Sequence, residues 1–511
     1  MKRYYLIFFV LILACVLLRT YNLRKDPFYI SASKSIFVDN GIYAFNARQK
    51  ILTDNFNFEE YNYHLLFPLH TYITLFFLKI SGIDYFKLVL CNALLAVIVC
   101  LIFSLCVEKK YRLIIFSFFA FSIVLITFSR SAMIENNIML FFALFLLLFK
   151  SENKLPKFLC GLLAALGILV KSNFVIIAVA LICYCIYQYL KNKKIEYYYI
   201  FGIFCGIAIL SLSYLIYYDD YISLKNSVIY RQIIEDHKKF KIYQLFEILF
   251  FLKNNLFIRE LPLYFLFLAG LYRMILNKDR NDKISALLIF VLFFNVLFVN
   301  YSYEYSPLRY RIFMLPVMIF IGLEYFRITN YKESQKLKCA LIFLFFYPIV
   351  WWLLTKKVNV TISGWAVILV AIVGTFGGLY ILKKLRAVNL KIFMVIFLSY
   401  AAVQYLNAYK KSGYYLSEIM TDISKEIQPN AKVIGWWAPQ IFFNFKNVMI
   451  IPGNPYIKYI KKYSPDYILH YEDKIYYANY KLIKEYNIPP IKQKLCLFKA
   501  INLENIAVQE K

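Results

Sequence analysis

The sequence predicts a polytopic α-helical membrane protein with about thirteen transmembrane helices, amphipathic outer-face helices and a small C-terminal α/β extracytoplasmic domain. Three observations predict it. The chain is 61% hydrophobic and only 17% charged, against ~45–50% apolar and ~25% charged in soluble domains, and its mean hydropathy is +0.58. Apolar runs able to cross ~30 Å of hydrocarbon recur along most of its length. Near residue 407 the composition changes, as Pro, Asn, Lys and Tyr rise and long apolar runs stop.

In chain order the runs fall near residues 4–20, 86–106, 113–129, 132–150, 157–171, 173–190, 197–217, 261–277, 284–301, 308–326, 338–355, 363–382 and 390–407. The first follows Met1-Lys2-Arg3 and has no small-x-small cleavage site before Arg24, so it reads as a retained span. Short basic loops set the orientation. With the N-terminus inside, Glu108–Arg112, Ser151–Lys157, Lys191–Lys194, Asn277–Lys283, Arg327–Lys338 and Lys383–Arg386 all fall on the inner side. This alternation requires Leu65–Ile80, which contains Pro68 and His70, to be interfacial or re-entrant. Residues 21–85, 218–260 and everything after 407 then lie outside.

The loop Tyr218–Glu260 mixes charged and apolar residues and is expected to lie along the membrane as amphipathic helices. Short apolar runs at Lys432–Trp436, Val448–Ile451, Asp466–His470 and Leu495–Ile501 alternate with helix-like stretches near 414–427 and 454–463. That pattern predicts a small α/β domain over 408–511, beside a transmembrane domain over 1–407. The net charge of +29 fits inner loops and anionic headgroups; no RNA-binding or aromatic-basic module points to nucleic acid. Of the ten cysteines only Cys496 belongs to the polar C-terminal region, so that region has no internal disulfide, and no CxxC pair with metal spacing occurs.

Polar residues beside apolar runs on the predicted outer side are the candidates for chemistry, since basic residues there run against the orientation bias. Asp39 opens a stretch in which Ile42, Tyr43, Phe45 and Asn46 cluster at helical spacing. It is expected at a helix start, where free backbone N–H groups favour a carboxylate. Arg130 and Glu135 flank an outer turn and could pair across it. Lys171 sits between two apolar runs. Arg309 and Arg311 flank Tyr310 at an outer boundary, and arginine forks suit phosphate. His64 and His70 lie in the interfacial segment, where packed histidines are commoner than ligands. Together they describe a cationic, carboxylate-containing cavity suited to a lipid-linked phosphate.

The order of these motifs resembles the GT-C superfamily of membrane glycosyltransferases, and within it the branch of protein O-mannosyltransferases and lipid A aminoarabinose transferases (glycosyltransferase family 39-like). Asp39-Asn40-Gly41-Ile42-Tyr43-Ala44-Phe45-Asn46-Ala47-Arg48 matches the family's Asp-Glu-x-x-Tyr-x-x-x-Ala-Arg, with Asn40 in place of Glu. His64–Leu69, Arg130–Glu135, Gly161–Lys171 and Arg309-Tyr310 to Pro316 are similar to later elements, over roughly residues 1–320. The resemblance implies inverting transfer of a sugar from a polyprenyl-phosphate donor to an acceptor at the outer face of the cell membrane. Asp39 would be the general base. Lys171, Arg309 and Arg311 would hold the donor phosphate, supported by Tyr43, Arg48, His64, Arg130, Glu135 and Tyr310. A divalent cation has Glu135 and His64 as candidate ligands, and Asn40 removes the second carboxylate on which a metal site would be built. The competing classes are a transporter or flippase of lipid-linked saccharides, a polysaccharide polymerase or ligase, and a non-catalytic envelope scaffold.

Overall fold

The computed structural model describes residues 2–28, 35–58, 61–193, 195–225, 259–276, 283–301, 312–328, 390–471, 479–488 and 493–501. The predicted spans at 338–355 and 363–382, most of the loop 218–260, and Arg309, Tyr310 and Arg311 lie outside the described residues. Helices dominate. In chain order they are α1 (Lys2–Thr20), α2 (Ser35–Thr53), α3 (Tyr63–Leu66), α4 (Pro68–Ser81), α5 (Tyr85–Leu105), α6 (Arg112–Phe121), α7 (Ile123–Ser129), α8 (Glu135–Phe149) and α9 (Lys154–Leu166). There follow α10 (Val175–Asn192), α11 (Tyr197–Ile216), α12 (Tyr218–Lys225), α13 (Leu261–Leu276), α14 (Lys283–Tyr301), α15 (Met314–Arg327), α16 (Leu390–Lys411) and α17 (Tyr415–Glu426).

Four helical stretches among the described residues are long and apolar enough to cross a membrane: Tyr85–Leu105, Ser172–Asn192, Tyr197–Ile216 and Leu390–Glu426. A fifth is the pair α6 and α7, bent by 60°. The segment expected to be interfacial forms α3 and α4. Pro68 opens α4, whose 14 residues rise about 21 Å, short of a hydrocarbon core. Where spans do pack, small residues set the approach. Gly161 of α9 and Gly202 of α11 face backbone carbonyls of the opposite helix, Tyr199 and Phe158, so closely that a Cβ on either would collide. The outward side of α11 carries exposed Phe201, Phe204, Leu212 and Leu215, an apolar surface suited to lipid.

The bend between α6 and α7 lies at Ser122, whose hydroxyl accepts from Leu125 N as the cap of α7. A break leaves carbonyls on one side and N–H groups on the other without helical partners. Arg19 supplies the first set with donors, reaching Ala120 O at 2.7 Å and Phe119 O at 3.1 Å. Glu260 supplies the second with an acceptor, at 2.6 Å from Ser122 Oγ and 3.1 Å from Val124 N. Both charges also oppose the helix-end dipoles they face.

The predicted inner loops share one end of the bundle. Lys150 donates to Leu105 O and Val107 O, Arg327 pairs with Glu108 at 3.5 Å, Lys157 pairs with Glu152 and Glu196, and Lys283 also reaches Glu152. Residues of four of the six basic loops take part, and Glu196 lies two residues past a fifth, Lys191–Lys194; the sixth, at 383–386, lies outside the described residues.

The chain ends in a five-stranded sheet with the order β2-β1-β3-β5-β4. β1 (Lys432–Ile434), β2 (Met449–Ile451) and β3 (Tyr467–Tyr471) are mutually parallel, and β4 (Tyr480–Ile488) and β5 (Gln493–Ala500) complete it antiparallel. The connections include α18 (Ala438–Ile441) and α19 (Ile457–Tyr463). Four of the strands coincide with the short apolar runs of the sequence. β4 does not, because Lys481, Lys484 and Glu485 give it the polar character of a protected edge.

The sheet's core extends beyond residue 408. Ile42, Ala44, Phe45 and Ala47 of α2, with Phe58 and Tyr61, pack in one cluster with Leu416, Ile419, Trp437, Ile441 and Phe442. Tyr43, on the other side of α2, belongs to the bundle core with Phe28 and Phe103. The helix is therefore buried on every side between residues 40 and 48, as a helix held between two bodies must be.

Candidate active site

Asp39 lies in the second turn of α2, not at its start. The helix begins at Ser35, so the N–H groups after residue 39 already have carbonyl partners one turn back. The expected capping role is absent, and the half-buried carboxylate is left for other contacts. One of its neighbours is Tyr471 at the end of β3. Burial pushes this phenol up to about 12; a bond to Trp437 opposes the shift and the Asp39 charge adds to it.

One turn on, Tyr43 carries the same helix face into the bundle. Its ring stands edge-on to Tyr63, Phe67 and His70, with centroids 6.3, 5.8 and 5.9 Å away. His70 is buried on α4, and Asn137 Nδ2 lies 2.7 Å from its Nδ1. The amide donates to that nitrogen, which places the ring proton on Nε2. Burial, with the Lys171 charge behind it, pushes His70 down to about 3, so the ring is neutral.

Lys171 occupies the break between α9 and α10, and its Nζ lies 2.8 Å from Glu135 Oε1. Both side chains are buried, at 3% and 0% exposure. Burying such a pair costs several kcal/mol per ion unless the remaining valences are met. Here they are not all met. Among the described residues, Glu135 Oε2, Asn137 Oδ1 and His70 Nε2 have no hydrogen-bond partner. Buried polar atoms are rarely left so, and such atoms around a buried ion pair mark a functional-site candidate.

The structure thus groups Tyr43 with His70 and Asn137 beside the Lys171–Glu135 pair, and Asp39 stands one helical turn before Tyr43 on α2. Asn137 is a residue that sequence reasoning left out, and His70 is one it named without giving it a role. The signal for Asn137 was its place in Glu135-Asn136-Asn137, three polar residues opening an otherwise apolar helix. Asn136 itself bonds to Asn92 O and Phe128 O and ties that helix start to α5.

Three other candidates turn elsewhere. Arg130 does not pair with Glu135. Its guanidinium donates to Tyr21 O at 2.7 Å and Asn22 O at 2.9 Å and lies over the Phe28 ring, closing the end of α1. Tyr21 O lies just past the end of α1, beyond its last helical turn, Asn22 O also accepts from Lys25 N at 3.1 Å, and Glu135 is held by Lys171. Arg48 donates to Phe443 O at 2.9 Å and Phe445 O at 2.6 Å, fastening α2 to the sheet domain. Gly41 lies against the Pro439–Gln440 backbone on the same side, where any Cβ would collide. His64 stacks on Phe56 at 5.3 Å, and burial, against the pull of Asp220, pushes it down to about 4. Among the described residues no three His, Cys, Asp or Glu side chains gather as a metal site. Glu135 and His64 have separate surroundings and do not form one donor set.

Comparison with protein-family models and with curated protein sequences finds no match for this chain.

Proposed function

We propose that the chain is a multi-pass membrane glycosyltransferase that moves a sugar from a polyprenyl-phosphate donor to an acceptor at the outer face, with inversion. In this reading some thirteen spans cross the cell membrane, the joined basic loops face the cytoplasm, and the sheet domain stands outside. Asp39 takes the proton of the acceptor hydroxyl as its oxygen attacks the anomeric carbon. The bond from that carbon to the phosphate oxygen breaks, and the electron pair leaves with the lipid phosphate. Lys171 stabilises the departing charge, with Arg309 and Arg311 as further cations. Its ammonium is held in place by Glu135, so little reorganisation is needed when the phosphate arrives. Phosphate is already a good leaving group, and no step requires a metal.

The observation that supports this reading is the group of Tyr43, His70 and Asn137 beside the buried Lys171–Glu135 pair, with Asp39 one helical turn before Tyr43 on α2. The test is Asp39→Asn, compared with wild type in cells lacking the protein, by mass spectrometry of surface glycans. We expect equal protein in the membrane and transfer lower by about 10²–10⁴-fold, the usual worth of a general base. Wild-type glycan levels from Asp39→Asn would overturn the reading.

A further inference from the structure

Along α1, from Tyr4 to Thr20, only Cys15 and Arg19 are buried; every other side chain is half-buried or exposed. Four positions apart, the two share one face of the helix, and that face meets α5 and α6. The Arg19 guanidinium is divided there between sulfurs and carbonyls. Its Nη1 donates to Cys15 Sγ at 3.1 Å and its Nη2 to Cys100 Sγ at 3.7 Å. The same two nitrogens hold Ala120 O and Phe119 O at the bend between α6 and α7. One planar group thus gathers a thiol of α1 and a thiol of α5, and the two sulfurs also meet each other as hydrogen-bond partners. Neither is in a disulfide, and both are buried.

Two thiols held in this way have a chemistry that a packed core does not call for. The attacking form of cysteine is the thiolate, and the guanidinium beside Cys15 is a counter-charge for it. Cys100 supplies the second sulfur that a disulfide needs. Burial also selects the reagents. A charged reductant such as glutathione is costly to bring among apolar helices, whereas hydrogen peroxide is small and uncharged.

We propose that Cys15 and Cys100, bridged by Arg19, are an oxidation site at which hydrogen peroxide closes a disulfide between α1 and α5. The Cys15 sulfur attacks one peroxide oxygen and the O–O bond breaks. The sulfur becomes a sulfenic acid, and the departing hydroxide leaves as water with the thiol proton. The Cys100 sulfur then attacks the sulfenic sulfur, the S–O bond breaks, and that hydroxide leaves as water with the Cys100 proton. Two thiols and one peroxide give one disulfide and two waters. The product fastens to the bundle a helix that otherwise offers it two buried side chains. This site is independent of the glycosyltransferase reading.

The test is peptide mass spectrometry of the full chain in nanodiscs, before and after hydrogen peroxide, with remaining thiols blocked before digestion. A peptide pair joined through Cys15 and Cys100 should appear on treatment and vanish on reduction in denaturant. In Cys100→Ser, dimedone should trap a sulfenic acid at Cys15; in Cys15→Ser, it should leave Cys100 unlabelled at the same dose. Arg19→Gln should slow the bond about tenfold, with a melting curve to show that the variant is folded. Both thiols staying reduced in the wild-type chain, oxidation of either without the joined pair, or joining to a different cysteine would overturn the proposal. So would a folded Arg19→Gln chain that closes the bond at the wild-type rate.

Discussion

The buried arginines and the Lys171–Glu135 cluster are both cationic groups at the edges of apolar helices, and they are satisfied in opposite ways. Arg19, Arg48 and Arg130 each place two nitrogens on backbone carbonyls at the end of a chain segment. Lys171 has a carboxylate at 2.8 Å, and around that pair three polar atoms have no partner among the described residues. A guanidinium on carbonyls closes the hydrogen-bond account of a helix end, which is structural work. A buried ion pair with open valences beside it stabilises little and invites a ligand. Arg19 and Arg130 still leave Nε without a partner among the described residues, so the two groups differ in what holds the charge, backbone carbonyls in one and a carboxylate in the other.

The largest effect should come from splitting the ion pair. Lys171→Met leaves Glu135 buried without its partner and should cost about 3–5 kcal/mol, read from unfolding in detergent. Lys171→Met with Glu135→Leu should recover most of that stability and none of the transfer. A double variant that transfers sugar would place the pair with the arginines. Next in size, Arg48→Ala strips the buried Phe443 carbonyl of its side-chain donor and leaves Phe445 O with Val448 N alone, and should cost about 2–4 kcal/mol. Limited proteolysis should then cut within 408–471 while the bundle stays intact. If Arg48→Ala left stability unchanged but abolished transfer, the contrast drawn above would fail from the other side.

The smallest effect is a pH slope at the hinge between bundle and sheet domain. Asp26 is buried with its oxygens on Tyr415 N at 2.9 Å and Leu416 N at 3.0 Å, the first N–H groups of α17. Burial is the main cause raising this carboxyl from 3.8 to about 6. Between those values the folded chain holds a proton that the unfolded chain has released. Stability from this group is therefore full below about pH 4 and lost progressively as pH rises through about 6. Asp26→Asn should flatten that slope in melting curves taken from pH 4 to 7.

Four strands of the sheet were legible because each is a short apolar run bounded by turn residues; β4 was hidden by the charges that suit an edge. The basic loops are legible as a set, and contacts link four of them: Arg327 with Glu108, Lys283 with Glu152, and Lys150, next to the second, with the carbonyls before Glu108. The site was legible as a list more than as a grouping. Asp39, Tyr43, Glu135 and Lys171 stand out as polar or ring-bearing residues in apolar company, yet nothing in the sequence pairs Glu135 with Lys171, 36 positions away. Arg48 and Arg130 were read as site residues because an arginine near a span end looks the same whether its partner is a phosphate or a carbonyl. Asp39 was read as a cap because the start of α2 was placed four residues late.

The bonds from Arg48 to Phe443 and Phe445 also set an order of assembly. They join positions separated by 395 and 397 residues. At ~5–20 residues per second of synthesis, the first helix after α1 waits roughly 20–80 s for its partner. Until the last hundred residues emerge, Asp39 sits on a helix with one face uncovered. A chain cut short by the ribosome therefore carries α2 without the backbone that Arg48 binds. In the proposed reading, the last domain to be made completes the surroundings of a base carried near the start of the chain.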